Sequence, residues 1–214
     1  MTLSPRVRAW LAAHGVTQQR PRLDEAATRR FCAKNKLPTW PSLLAIEARF
    51  GGLRGVASDS RVLEFGVSTF GWRREIDGRL HLLVAFFDPI LWYMDEAGRI
   101  VEIDDLGHRF YESDTIDHRI EQLAVYDWQA RHYRSIPGFH GHALAKQLDL
   151  IYISEASDSR QRHWASPISG ILVRESLEPR DYGSRDLVET TWINARTKAA
   201  LDRAPHTVAG SGRG

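Results

Sequence analysis

Helical spacing up to Gly51 and short, hairpin-linked strands after Gly55 together predict a chain of the α+β class. Leu43, Ile46 and Phe50 recur at helical intervals and stop at a glycine pair. Asp77-Gly78, set between the run Phe70-Gly71-Trp72 and an apolar run from Leu80, is a two-residue hairpin signal, because both positions tolerate positive φ. A second turn, Asp95-Glu96-Ala97-Gly98, joins residues 90–94 to 99–104 and puts glycine where a bulge-type loop wants a left-handed residue.

Taken in order, residues 4–14 read as a short helix with Val7, Trp10 and Leu11 on one side, followed by a polar connector over 17–22 that contains Pro21. Asp24 is placed to cap the next helix, with Glu25 in its first turn and Arg30, Lys34 and Lys36 near its other end, each charge complementing the helix dipole. Pro38 stops it. Thr39 is the expected cap of the third helix, Pro41 fits its first turn, and Gly51 is the expected left-handed exit.

Leu80, Leu82, Val84 and Phe86 alternate with His81, Leu83, Ala85 and Phe87, so the strand over 80–87 is apolar on both faces and should be central and covered on both sides. Trp72 and Trp92 fall within the expected core strands. Asp114 is placed to cap a helix whose stripe is Ile116, Ile120 and Leu123, with Asp117 three residues on as in a capping box. Residues 150–154 and 168–174 read as strands separated by a polar stretch over 155–163. Ser184 is placed to cap a final helix with Val188, Trp192, Ala195 and Ala199 inward.

At 214 residues and 43% hydrophobic content the chain can bury a sizeable core, and one domain over 1–205 is expected, with a mobile tail over 206–214. The 29 basic residues nearly cancel the 27 acidic ones, which argues against nucleic acid as a partner. That balance hides a segregation: residues 1–36 carry eight Arg/Lys against Asp24 and Glu25, while residues 95–127 carry ten carboxylates against Arg99, Arg109 and Arg119. The lone Cys32 in a helical pattern reads as a packing residue of a reducing compartment. No apolar leader core follows the first arginines and no run approaches the roughly 18 residues of a membrane span, so a soluble, cytoplasmic protein is expected.

Over residues 24–127, the Leu37-Pro38 opening of a helix that ends in Gly51-Gly52, the aromatic strand Trp92-Tyr93 before the acidic turn from Asp95 to Gly98, and the closing helix from Asp114 resemble the SUKH superfamily. Its members include bacterial immunity proteins that bind toxins and eukaryotic regulators of cell-wall assembly. One departure is Phe50, where relatives commonly place Asn ahead of the glycine pair. The resemblance implies a twisted, mainly antiparallel sheet with helices packed on it, here followed by an elaborated C-terminal region over 128–205. It also implies a shared scaffold without a shared site, so function has to be argued from exposed chemistry.

Val101 and Ile103 alternate with Glu102 and Asp104, which sends those two carboxylates to one face of their strand. Asp95, Glu96, Asp105, Glu112, Asp114, Asp117 and Glu121 come from the adjoining turns and helix, and together they would form an acidic band suited to a toxin with a basic surface. The bland alternative is a solvated face serving solubility. His140 and His142 would point the same way in an extended segment, with His132 nearby, but no further ligand set accompanies them, so neither metal nor cofactor is expected. The basic N-terminus around Trp10 could contact nucleic acid, or Trp10 and Leu11 could simply dock the helix. Trp128 and Trp164 are the candidates for an exposed interface anchor. Ser68 between Gly66 and Gly71 lacks the spacing of a nucleophile elbow, and Asp104, Asp105 and His108 read as decoration of a hairpin end. The expectation is therefore a non-enzymatic immunity-type protein that occludes a cognate toxin. The alternatives are a SUKH-type regulator of another partner and a metal-dependent hydrolase built on the two histidines.

Overall fold

The computed structural model describes residues 3–56, 62–67, 71–104, 106–129, 132–166, 170–180 and 186–205. The expectations for Ser68, Phe70, Asp105, Ser184 and the 206–214 tail lie outside the described residues, as does the side chain of Trp128. The chain divides into two compact units, Met1–Ile116 and Asp117–Gly214, and the division falls at the start of the helix that sequence reading made the last element of the SUKH-like portion. No described helix is long and apolar enough to cross a membrane.

The first unit is α+β, with helices α1 (Pro5–Ala13), α2 (Glu25–Lys34) and α3 (Pro41–Phe50) preceding most of an 8-stranded sheet. Its strands are β1 (Thr17–Gln18), β2 (Leu53–Val56), β3 (Val62–Phe65), β4 (Arg73–Ile76), β5 (Arg79–Phe87), β6 (Ile90–Met94), β7 (Ile100–Ile103) and β8 (Arg109–Ser113). Along the order β1-β2-β3-β5-β6-β7-β8 every pairing is antiparallel. β4 stands off this path: it runs along the edge of β5 that β3 has left, pairing Arg73 with Leu82 while β3 pairs Phe65 with Ala85.

Ser4 caps α1 and Asp24 caps α2, each accepting a backbone N–H three residues on. Val7, Trp10 and Leu11 are buried as their spacing requires, Trp10 against His14 and Phe87. Two expectations at α3 are corrected. Its N-cap is Trp40, not Thr39, because Pro41 occupies the first helical position and needs no donor there. The left-handed residue after it is Gly52 at φ 74°, whereas Gly51 has φ −51°. A Cβ on Gly52 would meet the Arg20 carbonyl oxygen at 2.4 Å, so both its angle and its surroundings require glycine.

Phe50 of α3 packs on Phe65, and Phe65 meets Trp92 edge-on, which seats α3 on the face of the sheet that carries Leu82 and Met94. Ile76, Leu83, Tyr93, Val101 and Ile103 form the core of the other face. Asp77 and Gly78 both have positive φ, as expected of a two-residue hairpin.

The second unit contains α4 (Ile116–Gln129) from Asp117 onward, β9 (His132–Pro137), α5 (Gly141–Gln147), β10 (Ile151–Tyr152), β11 (Gln161–Ser166), β12 (Ile171–Pro179), β13 (Leu187–Ala195) and α6 (Lys198–Arg203). Its five-stranded sheet has the order β10-β11-β12-β13-β9, with every adjacent pair antiparallel. Leu144, Ala145 and Ala200 from α5 and α6 pack on Trp164, Val173 and Ile193 of one face. Ala165 and Leu172, one residue out of step, take Val125 of α4 on the other. The helix expected to carry Val188, Trp192 and Ala195 is instead β13: Val188, Thr190, Thr191 and Ile193 are β-branched and fit a pleated strand. The helix comes later, capped by Thr197. α4 also begins at Ile116, one residue later than a cap at Asp114 would put it.

Candidate binding face

In the first unit, three turns of chain surround one cleft of about 510 Å³, lined by Trp40, Arg79, Leu80, Asp95, Glu96, Ala97 and Arg99. Trp40 arrives through the proline-started cap of α3, Arg79 and Leu80 through the positive-φ turn between β4 and β5, and the rest through the β6–β7 turn. The start of α3 is held to the β6–β7 turn by Ser42, whose hydroxyl donates to the Glu96 carbonyl oxygen at 3.3 Å and whose Cβ lies 3.3 Å from where a Cβ on Gly98 would be.

The acidic residues do not form a solvent-facing band. Asp95 is only 4% exposed, and its carboxylate accepts from the Arg99 backbone N–H at 3.0 Å and from the guanidinium Nε at 2.8 Å. Burial alone would raise the Asp95 carboxyl, but the Arg99 hydrogen bonds and charge outweigh it and hold the group below the ordinary carboxylate range. Asp104 is buried, accepts from the His108 backbone N–H at 2.7 Å and pairs with His108 Nδ1 at 3.0 Å. Arg109 bridges Glu112 and Asp77. Glu102 is buried opposite Trp92, and because all four residues of β7 are buried on both faces, alternation there leads to no solvent face. Asp114 is half-buried; in the second unit Asp117 is half-buried and Glu121 buried. Of the expected residues that are described, only Glu96 is exposed.

The β4–β5 hairpin exposes cationic and aromatic side chains alongside Glu75 and Asp77. Trp72, expected in the core, lies just ahead of β4 and is 58% exposed, and Leu80 is 39% exposed although its strand is buried from His81 to Ala85. Arg73, Arg74 and Arg79 are exposed, and among the described residues no carboxylate pairs with any of them. Arg73 donates to the Lys36 carbonyl oxygen at 2.9 Å, so the β4–β5 hairpin lies against the end of α2, and Arg74 bonds the buried Tyr93 hydroxyl. The turn chemistry of Asp77-Gly78 was the signal that could have located Arg79 and Leu80. Nothing in the sequence marked Trp40 as their neighbour, since it comes from a distant segment.

The remaining candidates resolve structurally. His140 precedes α5 and His142 lies in its first turn, so the two are not presented side by side by an extended segment. Trp164 is buried against Tyr152. Burial raises the Cys32 thiol, with a Thr39 hydrogen bond opposing, which fits a packing residue. No protein-family model, no curated protein and no solved structure matches the chain.

Proposed function

We propose that this chain is a SUKH-like immunity protein that holds a cognate bacterial toxin in the cytoplasm of the producing cell and blocks it by occlusion. The observation that carries the reading is the cleft beside Trp40 and Leu80, with Trp72 exposed at the far end of the β4–β5 hairpin: apolar and aromatic anchors flanked by arginine are what binding hot spots are made of. The order of elements in the first unit supports it, with Leu37-Pro38, α3, Gly51-Gly52 and a meander of antiparallel strands following as the resemblance implied. The contact surface in this reading is the cleft and the β4–β5 hairpin, with Glu96 the acidic contributor.

Co-expression with the product of any toxin gene found beside this one is the direct test. Survival of the host with the wild-type chain, and its loss with Trp72→Ala combined with Leu80→Asp, is the expected result. Undiminished toxicity alongside the wild-type chain sinks the reading.

A further inference from the structure

The charges that remain unpaired in the first unit are distributed in a way that identifies the partner's chemistry. Several acids of the predicted band are held internally: Asp95 by Arg99, Glu112 by Arg109, which also pairs with Asp77, and Asp104 by its hydrogen bonds with His108. The cations of the β4–β5 hairpin are not, and Arg73, Arg74 and Arg79 have no carboxylate partner among the described residues. They occupy a hairpin arm of four paired positions, about 13 Å of strand at roughly 3.3 Å per residue, whose free edge is flanked on both faces: alternation puts Arg73 on the face of Glu75 and Leu80, and Arg74, bonded to Tyr93, on the opposite face with Trp72. Lys36 adjoins the arm where Arg73 bonds its carbonyl oxygen.

We infer that this arm receives an acidic segment of a protein partner, with an apolar or aromatic side chain of that segment entering the cleft beside Trp40 and Leu80. The inference rests on the reading of the chain as a binding protein, and it reverses the sign of partner that the sequence suggested. A protein, not a nucleic acid, fits the arm because Glu75 and Glu96, both exposed, stand among the arginines: discrete carboxylates can be placed between such charges, whereas a continuous phosphate backbone would run over them. The arginines steer and orient, and the Trp40–Leu80 cleft supplies the desolvated anchor.

The test uses the purified full chain and three polymers as probes: a glutamate–tyrosine copolymer, polylysine and oligo-dT. The copolymer should bind with an affinity that falls as salt rises, and should shift the Trp72 indole and Arg79 Nε–H resonances. Arg73→Glu with Arg79→Glu should weaken it by about tenfold or more, and Leu80→Asp should weaken it at unchanged melting temperature; Arg79→Ala, which leaves the fold untouched, should give a smaller loss in the same direction. Equal or tighter binding of polylysine or oligo-dT, no copolymer binding, or copolymer binding indifferent to the arginine changes overturns the inference. Copolymer binding as described by a chain that gives no protection against the toxin would retain this inference and remove the immunity reading; protection by a chain with no preference for the copolymer would do the opposite.

Discussion

Asp95 closes the β6–β7 hairpin on Arg99 with both carboxylate oxygens, one taking the backbone N–H at 3.0 Å and the other the guanidinium Nε at 2.8 Å. The pair fixes the turn that carries Glu96 and Ala97 into the cleft. Because the Asp95 carboxyl lies below its ordinary value when folded, its contribution is present above the unfolded pKa of about 3.9 and is lost as pH falls through the lower folded value. Asp95→Asn should therefore cost about 2 kcal/mol at neutral pH, with the gap to wild type narrowing below about pH 3.9. Thermal melts of both proteins across that range check it. A gap that widens in acid would show that another group controls the turn.

Glu102 separates the two accounts of the acidic residues. A surface role predicts that charge reversal slows association and leaves the fold alone. Its burial opposite Trp92 predicts instead that Glu102→Lys destabilises the first unit, by about 3 kcal/mol or more, since an ammonium would be enclosed without a partner. Denaturant titration measures this, and an unchanged midpoint would restore Glu102 to the surface.

The local code was legible wherever a backbone requirement or a strict period expressed it. Asp24, Asp77-Gly78, Gly98 and the α1 and α3 stripes are each set by residues within a few positions of one another. What could not be read depended on tertiary covering. Glu102 and Asp104 alternate as a solvent face would, but both faces of β7 are covered and Asp104 is tied to His108 in the turn that follows. β11 was hidden because Gln161 and His163 look like loop residues and are nonetheless buried. Val188, Trp192 and Ala195 of β13 also satisfy a helical period that runs on to Ala199 of α6, and only the β-branched neighbours within β13 argue for a strand. The cleft joins Trp40 to Arg79 and Leu80, and neither periodicity nor turn chemistry reports a meeting between segments so far apart in the chain.

Gly78 and Gly141 are required for opposite reasons, which yields a paired prediction. At Gly78 φ is 71° and nothing lies within 4 Å of an added Cβ, so Gly78→Ala meets only backbone strain, about 1 kcal/mol. Gly141 has an ordinary φ, but its Cβ would sit 2.5 Å from Glu175 Cγ and 2.6 Å from Trp164 Cζ3, both in buried residues of the second unit. Those neighbours cannot swing into solvent, and Glu175 is further fixed by accepting the Gly141 N–H and pairing with Arg162 at 2.8 Å. Gly141→Ala should therefore cost more, about 2–3 kcal/mol, and adding Trp164→Leu should recover part of the clash despite the cavity it opens. The same second change should not relieve Gly78→Ala. Equilibrium unfolding of the four variants decides it: recovery in neither background would mean that the loss at Gly141 is not steric, and equal costs at the two glycines would mean that space around Gly141 is not the constraint.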